Sequence, residues 1–317
     1  MNIRDLEYLV ALAEKRHFQR AADACNVSQP TLSAQIRKLE DELGLRLLER
    51  TTRKVHFTQN GLQLVEQTKA VLRELKALRS LATLQKDVMQ GPTNIGIIPT
   101  IAPYLIPLIS PVICQKFPNL DLYLHEEQTH QLLAMLEAGK IECAIMAMVR
   151  ETSQFAELPL YEEPFLLAVT RDHPLAQETA VDMHKLAGNK LIMLNQGNCL
   201  RWQAMRYCYQ FDAEEDTRFA ATNLETLRTM IACNGGMTFM PKLAVRRDDR
   251  CVYLPCVNPE PKRTIVMVFR HGNSMRSRYE QLRKEIARHM KPILEQNIVH
   301  APAMPAVKNW SDCNEPD

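Results

Sequence analysis

No stretch of the 317-residue chain reaches the ~18 consecutive apolar residues that mark a membrane-spanning helix, and the N-terminus lacks an apolar secretory core. Membrane and secreted proteins are therefore set aside, and the expected address is the cytoplasm. No Cys-x-x-Cys pair occurs among the nine cysteines, and His and Cys never cluster at zinc-ligand spacing. This excludes a disulfide framework and leaves no metal or cofactor site to expect; most of the thiols should be small core hydrophobes. A charge excess is missing too: the net charge is only +2, so any nucleic-acid site must be a local patch. What is present is ordinary for a globular protein, with 46% apolar and 24% charged residues over a length that suits two or three domains.

Residues 17–44 read as two amphipathic helices separated by a tight break. Phe18, Ala21, Ala22 and Cys25 fall at helical spacing in the first. Asn26 suits a left-handed turn position, Ser28 can cap the second helix, and Pro30 sits in the first turn, where a missing N–H costs little. In the second helix Leu32, Ile36, Leu39 and Leu43 form an apolar stripe. Gln29, Ser33 and Arg37 form an opposite polar stripe flanked by Thr31 and Ala34. Such a stripe, at the start of a helix after a three-residue turn, is either a solvated face or a recognition helix that enters a major groove. The following segment weighs toward DNA. Arg46, Arg50, Arg53 and Lys54 surround a single acid, Glu49, while Thr51, Thr52, Val55 and Phe57 favour short strands, so a basic two-stranded wing is expected to grip phosphates.

The series FQRAADACNVSQPTLSAQIRKLEDELGLRLLERTTR resembles the LysR-type transcriptional regulators, and the resemblance runs to about residue 295. Over the last two-thirds it narrows to the hydrogen-peroxide-sensing branch of that family. The stretches YLHEEQTHQLLAMLEAGK and LPCVNPEPKRTIVMVFR carry the narrower match.

The remaining chain follows in order. Residues 1–16 should form a helix behind the recognition unit, giving an all-α winged helix-turn-helix domain over 1–58. Leu64, Thr68, Val71, Leu75, Leu78 and Ala82 are spaced as a coiled-coil seam, so 59–89 reads as a dimerisation linker helix. Packing on its own domain is the other reading of that seam. A unit that reads paired half-sites on double-stranded DNA needs a two-fold partner, and the resemblance implies the same homodimer, with pairing into a homotetramer. After Gln90-Gly91-Pro92 the pattern alternates strand and helix, which argues for parallel sheet with right-handed crossovers. The expected effector domain is α/β over 90–295, with two Rossmann-like subdomains that resemble periplasmic binding proteins. Subdomain I spans 90–162 and 269–295, and subdomain II spans 163–268. A capping box is expected at Thr222, and the Pro-rich tail 296–317, with Cys313, should be disordered.

Ligands in open parallel sheets bind beyond the carboxyl ends of the strands. Thr100, Thr129 and Cys199 each follow such an end, although either threonine could instead be a helix cap. Asn198 should cap a helix starting at Cys199, where backbone N–H groups and Arg201 would favour a thiolate. Cys208 lies nine positions on. In one unbroken helix the two thiols would be roughly 13 Å apart on opposite faces, too far for a disulfide without rearrangement. The residues alone leave open two unrelated buried cysteines or a switch. The resemblance implies the switch, with Cys199 as the peroxidatic and Cys208 as the resolving thiol. It also implies that Thr100, Thr129 and Arg263 hold peroxide and keep Cys199 charged. Arg218 departs from the pattern, standing where many relatives carry His.

Three functions compete: a redox-switched transcription factor, a LysR-type regulator that binds a metabolite in the same crevice with idle thiols, and a thiol peroxidase with a helical appendage. The recognition helix, wing and dimer helix have no place in the enzyme, so no catalytic turnover is expected. The redox reading brings RNA polymerase as a partner and glutaredoxin or thioredoxin as reductant.

Overall fold

The computed structural model describes residues 1–49, 55–84, 88–233, 236–246 and 250–296. The basic wing residues Arg50, Arg53 and Lys54, together with Thr51, Thr52 and the tail with Cys313, lie outside these ranges. The chain divides into two compact units, Met1–Lys86 and Asp87–Asp317.

In the first unit, α1 (Ile3–Lys15), α2 (Phe18–Ala24) and α3 (Gln29–Leu43) pack around Leu9, Leu12, Ala21, Ala22, Leu32, Ile36 and Leu39, all essentially inaccessible. Local sequence explains the joints. Asn26 adopts φ 54°, as its short side chain permits, and Ser28 accepts a hydrogen bond from the Thr31 N–H. Leu48 and Phe57 pair antiparallel, and the Glu49 N–H donates to the His56 carbonyl at 2.9 Å. The buried Glu40 carboxylate anchors this turn by accepting from the N–H groups of Leu47 (2.7 Å) and Leu48 (3.1 Å). Gly61 is obligatory where the next helix crosses, since a Cβ there would lie 2.2 Å from the Leu47 carbonyl oxygen.

That helix, α4 (Gln59–Leu84), departs from the expected seam. Leu64 and the buried Val65 pack on the first unit's own core, and Thr68 is buried as well. Its opening turns therefore face their own domain, because the hydrophobic stripe of α1 needs a cover. Val71 and Leu78 stay exposed, as does Leu62 in the opening turn, and Leu75 is half-buried.

The second unit begins with β1 (Gly91–Ile97), α5 (Ala102–Lys116), β2 (Leu120–Glu126), α6 (Thr129–Glu137) and β3 (Cys143–Ala147). Strand β1 lies parallel to both β2 and β3, as the alternating pattern implies. The long β4 (Ala156–Thr170) links two sheets. The second sheet adds β5 (Val181–Asp182), β6 (Lys190–Leu194), α7 (Cys199–Gln210), β7 (Glu214–Ala221), α8 (Leu224–Ala232), β8 (Met237–Pro241) and β9 (Cys251–Val257). The chain then returns through β10 (Lys262–Phe269) and α9 (Arg276–Glu295). Strand β4 pairs with β10 up to Pro164, with β8 from Phe165 and with β9 from Leu166, so the crossing falls at 164–165.

The return crossing is a correction. Strand β10 pairs antiparallel with β3 and with the first half of β4, and Ile265–Phe269 belong to the first subdomain's core. Subdomain II therefore ends before Lys262, not at 268. Continuous hydrophobicity in IVMVF fits burial on both faces but says nothing about which sheet buries it. The cap of α8 is Asn223, accepting from the Thr226 N–H at 2.8 Å, rather than Thr222.

Candidate functional site

On α3, Pro30, Thr31 and Arg37 are exposed and Gln29 and Ser33 are half-buried, while the opposite stripe fills the core. The polar stripe thus faces outward as the period requires. Thr31 is not wholly free, because its hydroxyl shares a 2.7 Å hydrogen bond with the capping Ser28. Arg46, shortly after α3, sits 3.9 Å from the Glu40 carboxylate.

The second site is a crevice of about 660 Å³ whose walls include Thr129, Cys199, Gln203 and Arg263. Arg150, Arg206 and Lys262 give it a cationic rim, and the exposed Trp202 stands beside them. Cys199 is the first residue of α7, after Asn198, whose side chain accepts from the Leu200 N–H at 3.2 Å. Before it, Gly197 takes φ +91°, and a Cβ there would lie 2.8 Å from the Gln128 side-chain oxygen. The backbone angle is what favours glycine here, since the Gln128 side-chain end could move aside for a Cβ.

Arg263 is 3% exposed and holds its place through several bonds. Nη1 donates to the Thr100 hydroxyl and Nη2 to the Thr100 carbonyl, both at 3.1 Å. Nε donates to Glu163 at 2.8 Å, and Nη2 lies 2.7 Å from the same carboxylate. Breaking a buried pair of this kind by removing one member costs about 3–5 kcal/mol. Thr100 is consequently not a wall of the crevice; it stands behind Arg263 and reaches the site through it. Neither Thr100 nor Thr129 is a helix cap: Ile101 precedes α5, and Gln128 takes the cap position of α6 in a capping box with Gln131. The Thr129 hydroxyl favours the charged form of Cys199, yet its oxygen, like Oε1 of Gln203, is buried without a closed hydrogen bond. Two unpaired polar atoms beside one thiol make a pocket for a small hydrogen-bonding molecule.

The surroundings of Cys199 pull its thiol in both directions. Burial raises the Cys199 thiol above its ordinary value, and this outweighs Arg263, the Thr129 hydroxyl and the N–H groups of Leu200 and Cys199, all of which pull it down. Arg201 contributes nothing there, since its guanidinium forms a two-pronged pair with Glu215. Arg218 is likewise engaged, with Asp216 at 2.6 Å, on an exposed stretch of β7.

Cys208 is fully buried, and desolvation pushes its thiol up to about 12. Cys199 packs with the first subdomain's core and Cys208 with the second's, although one helix carries both. Neither is held in a disulfide; Cys143, Cys251 and Cys256 are buried as expected, whereas Cys233 is exposed and no core residue. Sequence reading missed Glu163, Gln203 and Gln128. The i, i+4 spacing from Cys199 could have found Gln203; the other two depend on distant strands.

Comparison with known proteins follows this geometry. Residues 3–62 match the bacterial regulatory helix-turn-helix protein, lysR family, and residues 86–291 match the LysR substrate binding domain. The chain belongs to the LysR family of bacterial transcriptional regulators. Within that family it is similar to OxyR over nearly its whole length. The Escherichia coli K12 DNA-binding transcriptional dual regulator OxyR is 59% identical over 305 residues, covering 94% of this chain and all of that one. The crystal structure of reduced OxyR superposes with a TM-score of 0.61 at 51% identity, over 64% of this chain and 98% of that one. The oxidised form gives 0.60 at 53% identity, over 65% and 98%.

Proposed function

We propose that this chain is a hydrogen-peroxide-sensing, DNA-binding regulator of antioxidant genes, an activator switched by a reversible Cys199–Cys208 disulfide. The observation that carries this reading is a buried thiol at a capped helix start, facing an unpaired Thr129 hydroxyl and an Arg263 guanidinium fixed through Thr100. Peroxide fits a pocket lined by unpaired donors and acceptors. The Cys199 sulfur attacks one peroxide oxygen, the O–O bond breaks, and the other oxygen leaves as water after taking the thiol proton. Cys199 becomes a sulfenic acid. Cys208 then attacks its sulfur, expelling a second water and closing the disulfide. With roughly 13 Å of helix between them, closure requires α7 to unwind. Because each thiol is a piece of a different subdomain core, unwinding pulls on both at once.

In this reading the effector domains repack, and the change reaches the recognition helices through α4 of a dimer joined at Leu75, Val71 and Leu78, with Leu64 helping to seat the helix on its own domain. Effector-domain pairing completes a tetramer. Gln29, Ser33 and Arg37 read bases, helped by Pro30 and Thr31, while Arg50, Arg53 and Lys54 hold phosphates. The regulator works in the cytoplasm with RNA polymerase, catalyses no turnover, and is reset by glutaredoxin or thioredoxin. A Cys199→Ser protein that still changed its DNA footprint on peroxide treatment would overturn this function.

The cationic rim of Arg150, Arg206 and Lys262 favours a second reading, in which an anionic metabolite occupies the crevice without redox chemistry. An effector that shifted the footprint equally in wild-type and Cys199→Ser proteins would establish it.

A further inference from the structure

Strand β10 carries Arg263 at the crevice, and after a short turn the chain enters α9, whose third residue is Arg278. That side chain is 3% exposed, and its guanidinium turns back onto the stretch that opens the second unit. Nε donates to the Val88 carbonyl at 2.7 Å and Nη2 to the Gln90 carbonyl at 2.6 Å. Nη1 donates to the Thr93 hydroxyl at 2.5 Å, with the Pro92 carbonyl at 3.4 Å. Backbone carbonyls partly withdrawn from water need donors, and a planar fork of five N–H groups serves several at once where a lysine cannot. Two further contacts fix the same stretch. Met89 is buried in the first subdomain's core, and the Gly91 N–H donates to the Asn119 carbonyl at 2.8 Å. The clamp is itself braced: Tyr279, next to Arg278, is fully buried with its ring 4.8 Å from that of Phe269 on β10, and its hydroxyl accepts from the Asn273 side chain at 3.3 Å. The strand that carries Arg263, the start of α9 and the clamp thus belong to one packed piece of the first subdomain.

Resting on the reading of the Cys199–Cys208 disulfide as the switch, we propose that Arg278 is the positioning residue that couples this switch to DNA. By holding 88–93 rigidly on the first subdomain, it makes the linker helix α4 follow that subdomain and not the second. Helix α4 ends at Leu84 and the held stretch begins at Val88, so a rotation of the first subdomain passes to the helix within a few residues of chain. Without the clamp the junction becomes a free hinge, and the effector domain repacks without moving α4. Forming the disulfide and transmitting it are separate steps, and Arg278 is needed only for the second.

The test compares full-length proteins on an operator fragment with paired half-sites, before and after one equivalent of hydrogen peroxide, by DNA footprint and disulfide mapping. Arg278→Lys keeps the buried charge and removes the fork. It is expected to close the Cys199–Cys208 link as the wild type does and to bind DNA when reduced, yet to lose the peroxide-driven change in footprint. Amide hydrogen exchange over 88–93 should quicken by about tenfold or more, as the loss of hydrogen bonds to a charged donor implies. Thr93→Val, which removes one acceptor and almost no volume, should weaken the footprint change in the same direction, and it decides the matter if Arg278→Lys does not fold. Arg276→Ala, at the exposed start of α9, should leave the response intact. A folded Arg278→Lys protein that shows the full footprint change overturns the proposal. So does a purely structural role, in which the melting temperature falls and disulfide closure and footprint change are impaired together. A Cys199→Ser protein that still responds to peroxide is instead a failure of the peroxide reading, and exchange over 88–93 then judges the clamp by itself.

Discussion

Helices α3 and α7 begin in the same way, at Ser28 and Asn198 respectively, each accepting a backbone N–H of the first turn. Beyond the cap they diverge. Helix α3 buries Leu32, Ile36 and Leu39 and turns Thr31 and Arg37 outward, so its working face is the one the core does not use. Helix α7 buries both of its working groups, Cys199 in one subdomain core and Cys208 in the other. A surface that reads a partner can be rigid and exposed. A thiol pair that must not bond until a signal arrives has to be kept apart, and burial in two cores does this.

The sharpest way to break the contrast is to remove one working group from each helix. Cys199→Ser should abolish the peroxide-driven change in DNA footprint while leaving reduced-state binding intact. Cys208→Ser should retain a sulfenic acid on Cys199 that over-oxidises or is capped by an added thiol, detectable by mass spectrometry. On α3, loss of Arg37, Gln29 or Ser33 to Ala should weaken operator binding by about 1–3 kcal/mol for each base contact and blur base preference. Arg50→Ala or Arg53→Ala should instead weaken binding to all sequences and reduce the salt slope by about one unit. Wing variants that changed specificity while α3 variants did nothing would reverse the docking geometry.

How much of this was legible in the sequence divides along the same line. Asn26, Ser28 and Asn198 act within a few residues of themselves, so their types announced their roles, and the period of α3 announced its outward stripe. The site around Cys199 was only half legible. Its helix start and its distance from Cys208 follow from spacing, but the charge state of the thiol depends on burial by segments far away in the chain. Arg263 meets Glu163 across a hundred positions, and β10 finds its sheet through pairing Phe269 with Cys143. Nothing local encodes such pairings. Leu64 and Thr68 mislead for a related reason: a heptad spacing does not say whether the partner is another chain or the helix's own domain.

Two smaller effects sharpen the comparison. Leu75→Asp or Leu78→Asp on the later stretch of α4 should give monomers in sedimentation and lose cooperative binding to paired half-sites, whereas Leu64→Ala should lower the melting temperature and keep the dimer. The pH dependence of alkylation follows from the raised Cys199 thiol. Below its pKa the thiolate fraction rises about tenfold per pH unit, so the rate should climb through pH 7–8 instead of levelling off. A plateau below pH 7 would mean a thiolate already formed at rest.

The most direct measurement is a free-thiol count with disulfide mapping before and after one equivalent of hydrogen peroxide. The account predicts that two of the nine thiols disappear and that the new link joins Cys199 to Cys208. Full retention of all nine thiols, or a link made through Cys233 or any other cysteine, would contradict it.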